Sequence, residues 1–193
     1  MKRTIYLLLI VIIGITTFSS CSYNSMVSKQ ETVTAQWGQV QNAYQRRADL
    51  IPNLVATVQG YAQHEQETFN QVTEARSKAT SITLNADSLS PEKIAQFQKA
   101  QDALSQALGK LLMVKEAYPD LKANQNFLAL QDELAGTENR ISVERNKFNT
   151  SVQDYNSYIR QFPRVIYAKW FGFESKGYFE ATPEAQTAPK VQF

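Results

Sequence analysis

From Trp37 to Ala79 the seam positions advance in alternating steps of three and four: Trp37, Val40, Tyr44, Arg47, Ile51, Leu54, Val58, Tyr61, Glu65, Thr68, Val72, Ala75 and Ala79. That repeat keeps one stripe of side chains on one face of an α-helix, whereas a strand would need apolar residues at every second position. The chain is therefore built for helices that meet along seams. Only Arg47 and Glu65 bring charge into this one. A second helix opens at Ser90-Pro91-Glu92, with a capping serine and proline at the first helical position, and carries Ile94, Phe97, Leu104, Leu108 and Leu111 on one face. It stops near Tyr118-Pro119, because the residue before proline is pushed out of the helical region. A third begins between Asp120 and Asn126, shows Phe127, Leu130, Leu134, Thr137, Ile141, Glu144, Phe148, Tyr155 and Tyr158, and ends at Phe162-Pro163.

Lengths limit how these can pack. At the helical rise, residues 28–79 as one helix span ~78 Å, against ~40 Å and ~58 Å for the other two. The expected fold is an all-α, antiparallel helical bundle of three long helices, the first kinked or broken near Pro52, since proline inside a helix costs ~3 kcal/mol. Residues 53–79, 91–117 and 124–150 form its body, and a kinked first helix counted twice makes it four-helix-bundle-like. Residues 28–50 then leave Trp37, Val40 and Tyr44 uncovered unless the chain bends at Pro52 or a second copy covers them, which makes Trp37 and Tyr44 candidates for partner binding and a homo-oligomer a candidate assembly. Gly60, Gly109 and Gly136 fall at similar heights, about 48, 51 and 56 Å, which suggests close backbone approach. By the same reckoning Arg76 is level with Glu144, and Glu65 lies about one turn from Arg140; these are the expected structural polar pairs, because a buried charge needs a partner.

The first 21 residues form a separate unit. Lys2 and Arg3 precede an unbroken apolar run from Ile5 to Phe18, then Ser19, Ser20 and the sole cysteine, Cys21. A run of ~14 apolar residues has the length of a signal-peptide core and falls short of the ~20 that cross a bilayer comfortably. Residues 1–21 read as a signal peptide or membrane anchor ending at Cys21, the expected point of lipid attachment, with an uncleaved spanning anchor and free secretion as the alternatives. Residues 22–180 are the bundle domain, placed outside the cytoplasm. Residues 181–193, with Pro183 and Pro189, read as a disordered tail. One cysteine allows no internal disulfide.

Of 20 basic residues, Lys2 and Arg3 lie in the leader, so the remaining 18 match the 18 acidic ones. No basic stretch longer than Arg46-Arg47 is present, and a nucleic-acid partner is not expected. The inventory for catalysis is thin. A di-iron bundle needs Glu-x-x-His pairs on facing helices, and the chain has one histidine, His64. His64-Glu65 lacks the second histidine of a zinc peptidase, and a serine triad would depend on the same His64. No metal, no cofactor and no catalytic residue is assigned. What remains is a hydrolase built on the carboxylates of Glu65 and Glu144.

The core Gln45-Arg46-Arg47-Ala48-Asp49-Leu50-Ile51-Pro52-Asn53-Leu54-Val55, with Glu74-Ala75-Arg76, Tyr118-Pro119-Asp120-Leu121-Lys122-Ala123-Asn124, Glu138-Asn139-Arg140-Ile141, Tyr155-Asn156, Phe162-Pro163, Phe171-Gly172-Phe173 and Tyr178-Phe179, resembles the LemA family over about residues 23–180. The resemblance implies an envelope protein with an N-terminal membrane anchor and an antiparallel helical bundle, and it implies little about activity, since the family carries no assigned catalytic residues. Cys21 departs from members held by a transmembrane helix.

Two surfaces stand out as ligand or partner sites. Arg46, Arg47, Asp49 and Asn53 flank the Pro52 kink, where freed carbonyls and two guanidinium forks suit a carboxylate or phosphate; set against this, Arg47 lies in the seam and can be spent internally while Asn53 caps the restarted helix. The aromatic stretch Phe162–Phe179, interleaved with Arg160, Arg164, Lys169 and Lys176, suits a headgroup interface or closes the bundle end. The expected function is a membrane-tethered, non-catalytic bundle acting as an envelope interaction or scaffold protein. The alternatives are a binder of anionic lipid or cell-wall ligands through the arginine notch, and the carboxylate hydrolase.

Overall fold

In the computed structural model, the described residues are the backbone of 2–180 and the side chains from Ser22 onward; Cys21 and the 181–193 tail, and with them lipid attachment and terminal disorder, lie outside these side chains. Six α-helices follow in order: α1 Lys2–Gln59, α2 Gln66–Ser81, α3 Pro91–Met113, α4 Pro119–Lys122, α5 Gln125–Arg160 and α6 Arg164–Trp170. No strand occurs among the described residues.

The expected break near Pro52 is absent, because α1 runs through it. Pro52 has no N–H to give to the carbonyl of Ala48, one turn back. That carbonyl accepts instead from Arg76 Nε of α2, at 2.9 Å. The chain reverses at Gly60, whose backbone freedom costs ~1 kcal/mol relative to alanine inside a helix. Tyr61 and Ala62 both donate back to the Val58 carbonyl, closing α1. The unbroken three-and-four spacing across this turn is a coincidence of register. Below it the seam holds from Val33 to Val58; beyond it the buried positions are Phe69, Val72 and Ala79, while Tyr61 is exposed.

The other boundaries follow local chemistry. Ser90 Oγ accepts from Lys93 N with Pro91 at the first position of α3, and Asn124 Oδ1 accepts from Phe127 N at the start of α5.

Four helices then form an up-down-up-down bundle. Gln36 meets Glu144 and Arg46 meets Glu133, so α1 and α5 are antiparallel. Lys110 reaches Gln71 and Gln101 reaches the Ala79 carbonyl, so α2 and α3 are antiparallel too. Residues 28–50 do not project. Trp37, Val40 and Tyr44 are buried within the single chain, and the Trp37 indole donates to the Leu84 carbonyl at 3.1 Å from the α2–α3 link. A second copy is not needed to cover the seam. The level-glycine expectation also fails: a Cβ at Gly109 or Gly136 would meet open space, and Gly60 belongs to the turn.

The core is divided. One cluster, at the Ser22 end, gathers Met26, Trp37, Tyr44, Phe97, Phe148, Tyr155 and Phe179. The other, toward Gly60, gathers Ile51, Leu54, Val72, Leu108, Phe127 and Leu134.

Candidate functional site

Between the two clusters lies a polar layer centred on Arg47, whose residue is 1% exposed. Its Nη1 donates to Glu138 Oε1 at 2.8 Å and to Ser105 Oγ at 2.7 Å. Its Nη2 donates to the Gln101 side chain at 2.6 Å and to the Gln101 carbonyl at 3.2 Å. Gln101 Nε2 in turn donates to the Ala79 carbonyl. All four long helices thus contribute: Arg47 from α1, Ala79 from α2, Gln101 and Ser105 from α3, and Glu138 from α5. The guanidinium also sits 5.2 Å from the Tyr44 ring centre, and burial pushes the Tyr44 hydroxyl up to about 12. Only Arg47 Nε lacks a hydrogen bond. A fork spent in this way fixes helix register and has little left for a ligand.

The rest of the expected arginine notch is dispersed over the surface. Arg46 is exposed and bridges to Glu133 at 2.9 Å. Asp49 accepts from Gln45 one turn earlier. Asn53 is exposed inside the continuous helix and caps nothing, since no helix restarts there.

The expected polar pairs are replaced by others. Arg76 serves the Ala48 carbonyl and not Glu144. Glu144 accepts from Gln36 Nε2 at 2.7 Å and Lys147 Nζ at 3.1 Å. The Gln36 hydrogen bond, then the lysine, holds its carboxyl below the ordinary range and keeps it ionised. Glu65 accepts from the Tyr118 hydroxyl at 3.3 Å, while Arg140 is exposed beside Arg46 and Glu133. The height estimate assumed one straight first helix, and the reversal at Gly60 shifts every level beyond it. Glu65 lies at the Gly60 end and Glu144 opposite Gln36, some 25 residues of helix away or ~38 Å. The two carboxylates are not brought to one substrate bond. Among the described residues no group of three or more His, Cys, Asp or Glu converges as a metal site.

The aromatic stretch divides into an inward and an outward part. Residues 174–180 are extended and lie between α3 and α5, held mainly through their backbone. Asn156 accepts from Lys176 N and donates to its carbonyl, both at 2.9 Å. Asn149 does the same for Phe179, at 2.9 and 2.8 Å, and Gln98 for Glu180, at 3.0 Å each way. Gly177 N donates to the Leu89 carbonyl at 2.8 Å. This strap drives Phe179 into the core, with its ring 6.1 Å from Trp37 and 5.5 Å from Phe148. Lys176 is buried with it, donating to the Ala86 and Asp87 carbonyls, and burial lowers its pKa. By contrast Phe162 and Trp170 are 83% and 81% exposed, and Phe171 packs edge-on against Tyr23 at 5.1 Å.

Sequence reasoning passed over Gln101, Ser105 and the amides of Gln98 and Asn149, and gave Glu138 and Asn156 no role beyond their place in the family motifs. Gln101 had a readable signal: it fills the seam step between Phe97 and Leu104.

Along α3 the outward surface is grooved on both flanks. One cleft of about 570 Å³ faces α2 and is lined by Ala75, Lys78, Lys99, Ala103 and Lys110. The other, about 730 Å³, runs beside the strap and includes Ala95, Asp102, Ala103 and Gln106.

A family model described as the LemA family matches residues 36–193, a span that takes in the polar layer and the strap. The chain belongs to the LemA family. It is similar to the magnetosome protein MamQ of Magnetospirillum gryphiswaldense, 26% identical over 184 residues covering 86% of this chain and 67% of that one. The magnetosome protein MamQ 2 of Paramagnetospirillum magneticum is 24% identical over the same extent. The protein LemA of Metamycoplasma hominis is 28% identical over 147 residues, 76% of this chain and 60% of that one. This LemA-family chain keeps its four-helix layer within the matched span, and the apolar run Ile5–Phe18 precedes it.

Proposed function

We propose that this LemA-family protein is a membrane-tethered, non-catalytic bundle, held outside the cytoplasm, that works by binding other envelope components through the outward face of α3. The observation that carries this reading is α1, which runs without interruption from Lys2 through the apolar stretch and on to Gln59 inside the bundle. A rigid helix joining leader to core transmits position, not chemistry. The inward charged groups are spent on register: Arg47 on α3 and α5, Arg76 on a proline-orphaned carbonyl. The names of the MamQ relatives refer to an assembled body and to no reaction, which supports an assembly role. On α3, small side chains between two clefts leave room for a partner helix to approach closely, and Lys99 and Lys110, beside a Lys78 already paired with Glu74, favour an acidic one.

The test places a photo-cross-linking residue at Ala103, or at the exposed control Asp132, in the full chain expressed in its own cells. The expected result is a chain that sediments with membranes through a high-salt wash and gives discrete adducts from position 103 alone. A chain released by the wash, or equal adducts from both positions, would refute the reading. The mass of the chain recovered from membranes separates a lipid tether at Cys21, which adds acyl groups and removes residues 1–20, from a spanning one, which keeps them.

A further inference from the structure

The outward half of the aromatic stretch lies where the proposed tether enters the bundle. Six of the eleven exposed large apolar side chains among the described residues are Tyr23, Phe162, Val165, Ile166, Trp170 and Phe171, so exposed apolar surface is concentrated at the Ser22 end. Within this group Ile166 and Trp170 are one turn apart on α6, with Val165 and the exposed Lys169 on the same side of the helix, and Phe162 lies in the turn just before it. The opposite side is fixed to the bundle by buried Ala168, half-buried Tyr167, and Phe171 and Phe173 against Tyr23 at 5.1 and 5.7 Å. A short helix that turns Ile166 and Trp170 outward while Ala168 faces the core has the polarity of an interfacial helix. Tyr23 is five residues after Phe18, ~7.5 Å of rise, and two after Cys21, ~3 Å. Whichever of these residues ends the tether, the lipid boundary falls within reach of the patch. Arg160 and Lys169 are exposed on the same segment, and Arg164 stacks at 4.0 Å over the Tyr158 ring, giving the aromatics a cationic margin.

We propose that α6, with Ile166, Trp170 and the Phe162 that precedes it, docks onto the surface of the membrane that holds the leader, its aromatics at headgroup depth and Arg160 and Lys169 on anionic headgroups. This rests on the tethered reading and adds a second point of attachment. A helix held at one point pivots, whereas two points fix the bundle's tilt and the direction in which α3 faces.

Tryptophan fluorescence tests it directly, because Trp37 is buried some fourteen residues, ~21 Å, above Tyr23 and serves as an internal reference out of quencher range. The full chain is reconstituted into phosphatidylcholine–phosphatidylglycerol vesicles carrying lipids brominated near the headgroup or near the chain end. The expected result is loss of the Trp170 share of the emission with the shallow quencher, less with the deep one, and no loss in Trp170→Phe. Arg160→Gln/Lys169→Gln should weaken the shallow quenching in vesicles with phosphatidylglycerol and leave it unchanged without. Trp170 that stays open to aqueous iodide in chains that float with the vesicles overturns the docking and leaves the tether standing. Trp170 shielded from iodide yet insensitive to brominated lipid also overturns it, in favour of a second copy on the patch. A chain that does not float with vesicles at all overturns both readings.

Discussion

Arg76→Met should destabilise the bundle, and the loss should vanish when Pro52 is replaced by alanine. Pro52 leaves the Ala48 carbonyl without its helical donor, and Arg76 Nε supplies the bond from α2 at 2.9 Å. Ala48 is 3% exposed, so a carbonyl stranded there costs about 1–3 kcal/mol. Arg76 is itself half-exposed, which lets water follow the lost guanidinium and places the cost nearer ~1–2 kcal/mol. Methionine keeps most of the stem's packing and removes only the donor. In the Pro52→Ala background the restored amide takes back the Ala48 carbonyl, and Arg76→Met should then cost no more than ~0.5 kcal/mol. The four proteins form a double-mutant cycle, read by urea denaturation of residues 22–193 with far-UV circular dichroism. At ~2–4 °C per kcal/mol for a chain of this size, the melting temperature of Arg76→Met should fall by about 2–8 °C. Additive losses, with coupling inside ~0.5 kcal/mol, would mean that the carbonyl is hydrated or the helix bends to satisfy it elsewhere, and the account of the unbroken α1 would fall.

Phe179→Ala should cost about 3–5 kcal/mol as a buried aromatic truncation and shift Trp37 emission to the red, since the two rings stack; an unchanged emission would mean the strap is not part of the core. Gly177→Ala should cost about 1–3 kcal/mol as overpacking, because its Cβ would fall 2.7 Å from Pro91 Cα and 2.9 Å from Pro91 N; faster hydrogen exchange at the amides of 176–180 is the readout. Arg47→Ala should cost about 1–3 kcal/mol by leaving the buried Gln101 acceptors unmet while the partly exposed Glu138 is rehydrated, whereas Arg46→Ala, at an exposed pair, should cost under ~1 kcal/mol by the same denaturation assay. Glu144 has a folded pKa below its ordinary value of 4.5, so the unfolded state takes up protons first as the pH drops. Its stabilisation is present above that value and lost below it, and Glu144→Gln should flatten the acid limb of a urea-midpoint series against pH.

The fold was legible where a single helix carried its own instructions. Ser90 announced the start of α3, the start of α5 at Gln125 falls inside the Asp120–Asn126 bracket, and the faces from Ile94 to Leu111 and from Phe127 to Tyr155 are the buried ones. The first reversal was not legible, because the two relevant costs compete and only tertiary structure decides between them. Proline inside a helix is the dearer residue on local grounds, ~3 kcal/mol against ~1 for glycine. Arg76 reverses the order by satisfying what Pro52 leaves behind, and that bond joins residues 28 apart in sequence. Once the break moved from Pro52 to Gly60, the estimated heights failed together, taking with them the pairs Arg76–Glu144 and Glu65–Arg140, the level glycines and the uncovered Trp37 seam.

The candidate site failed to read for a related reason. A sequence pattern advertises side chains that meet side chains, through charge complementarity or shared apolar faces. Much of what holds this chain's carboxyl-terminal strap is side chain to main chain: Asn149, Asn156 and Gln98 each close a two-bond ring on a backbone amide and carbonyl. Such a clamp reads only the extended shape of the strap, so nothing in residues 174–180 marks them as its target. What does carry identity is Phe179, which must fill the space beside Trp37, and Gly177, which must pass Pro91. These two positions, with the clamps, divide the aromatic stretch into a part the core requires and a part it leaves outside. Phe162 and Trp170 lie on the far side of that division, at the Ser22 end, and there the core gives no reason for an aromatic face.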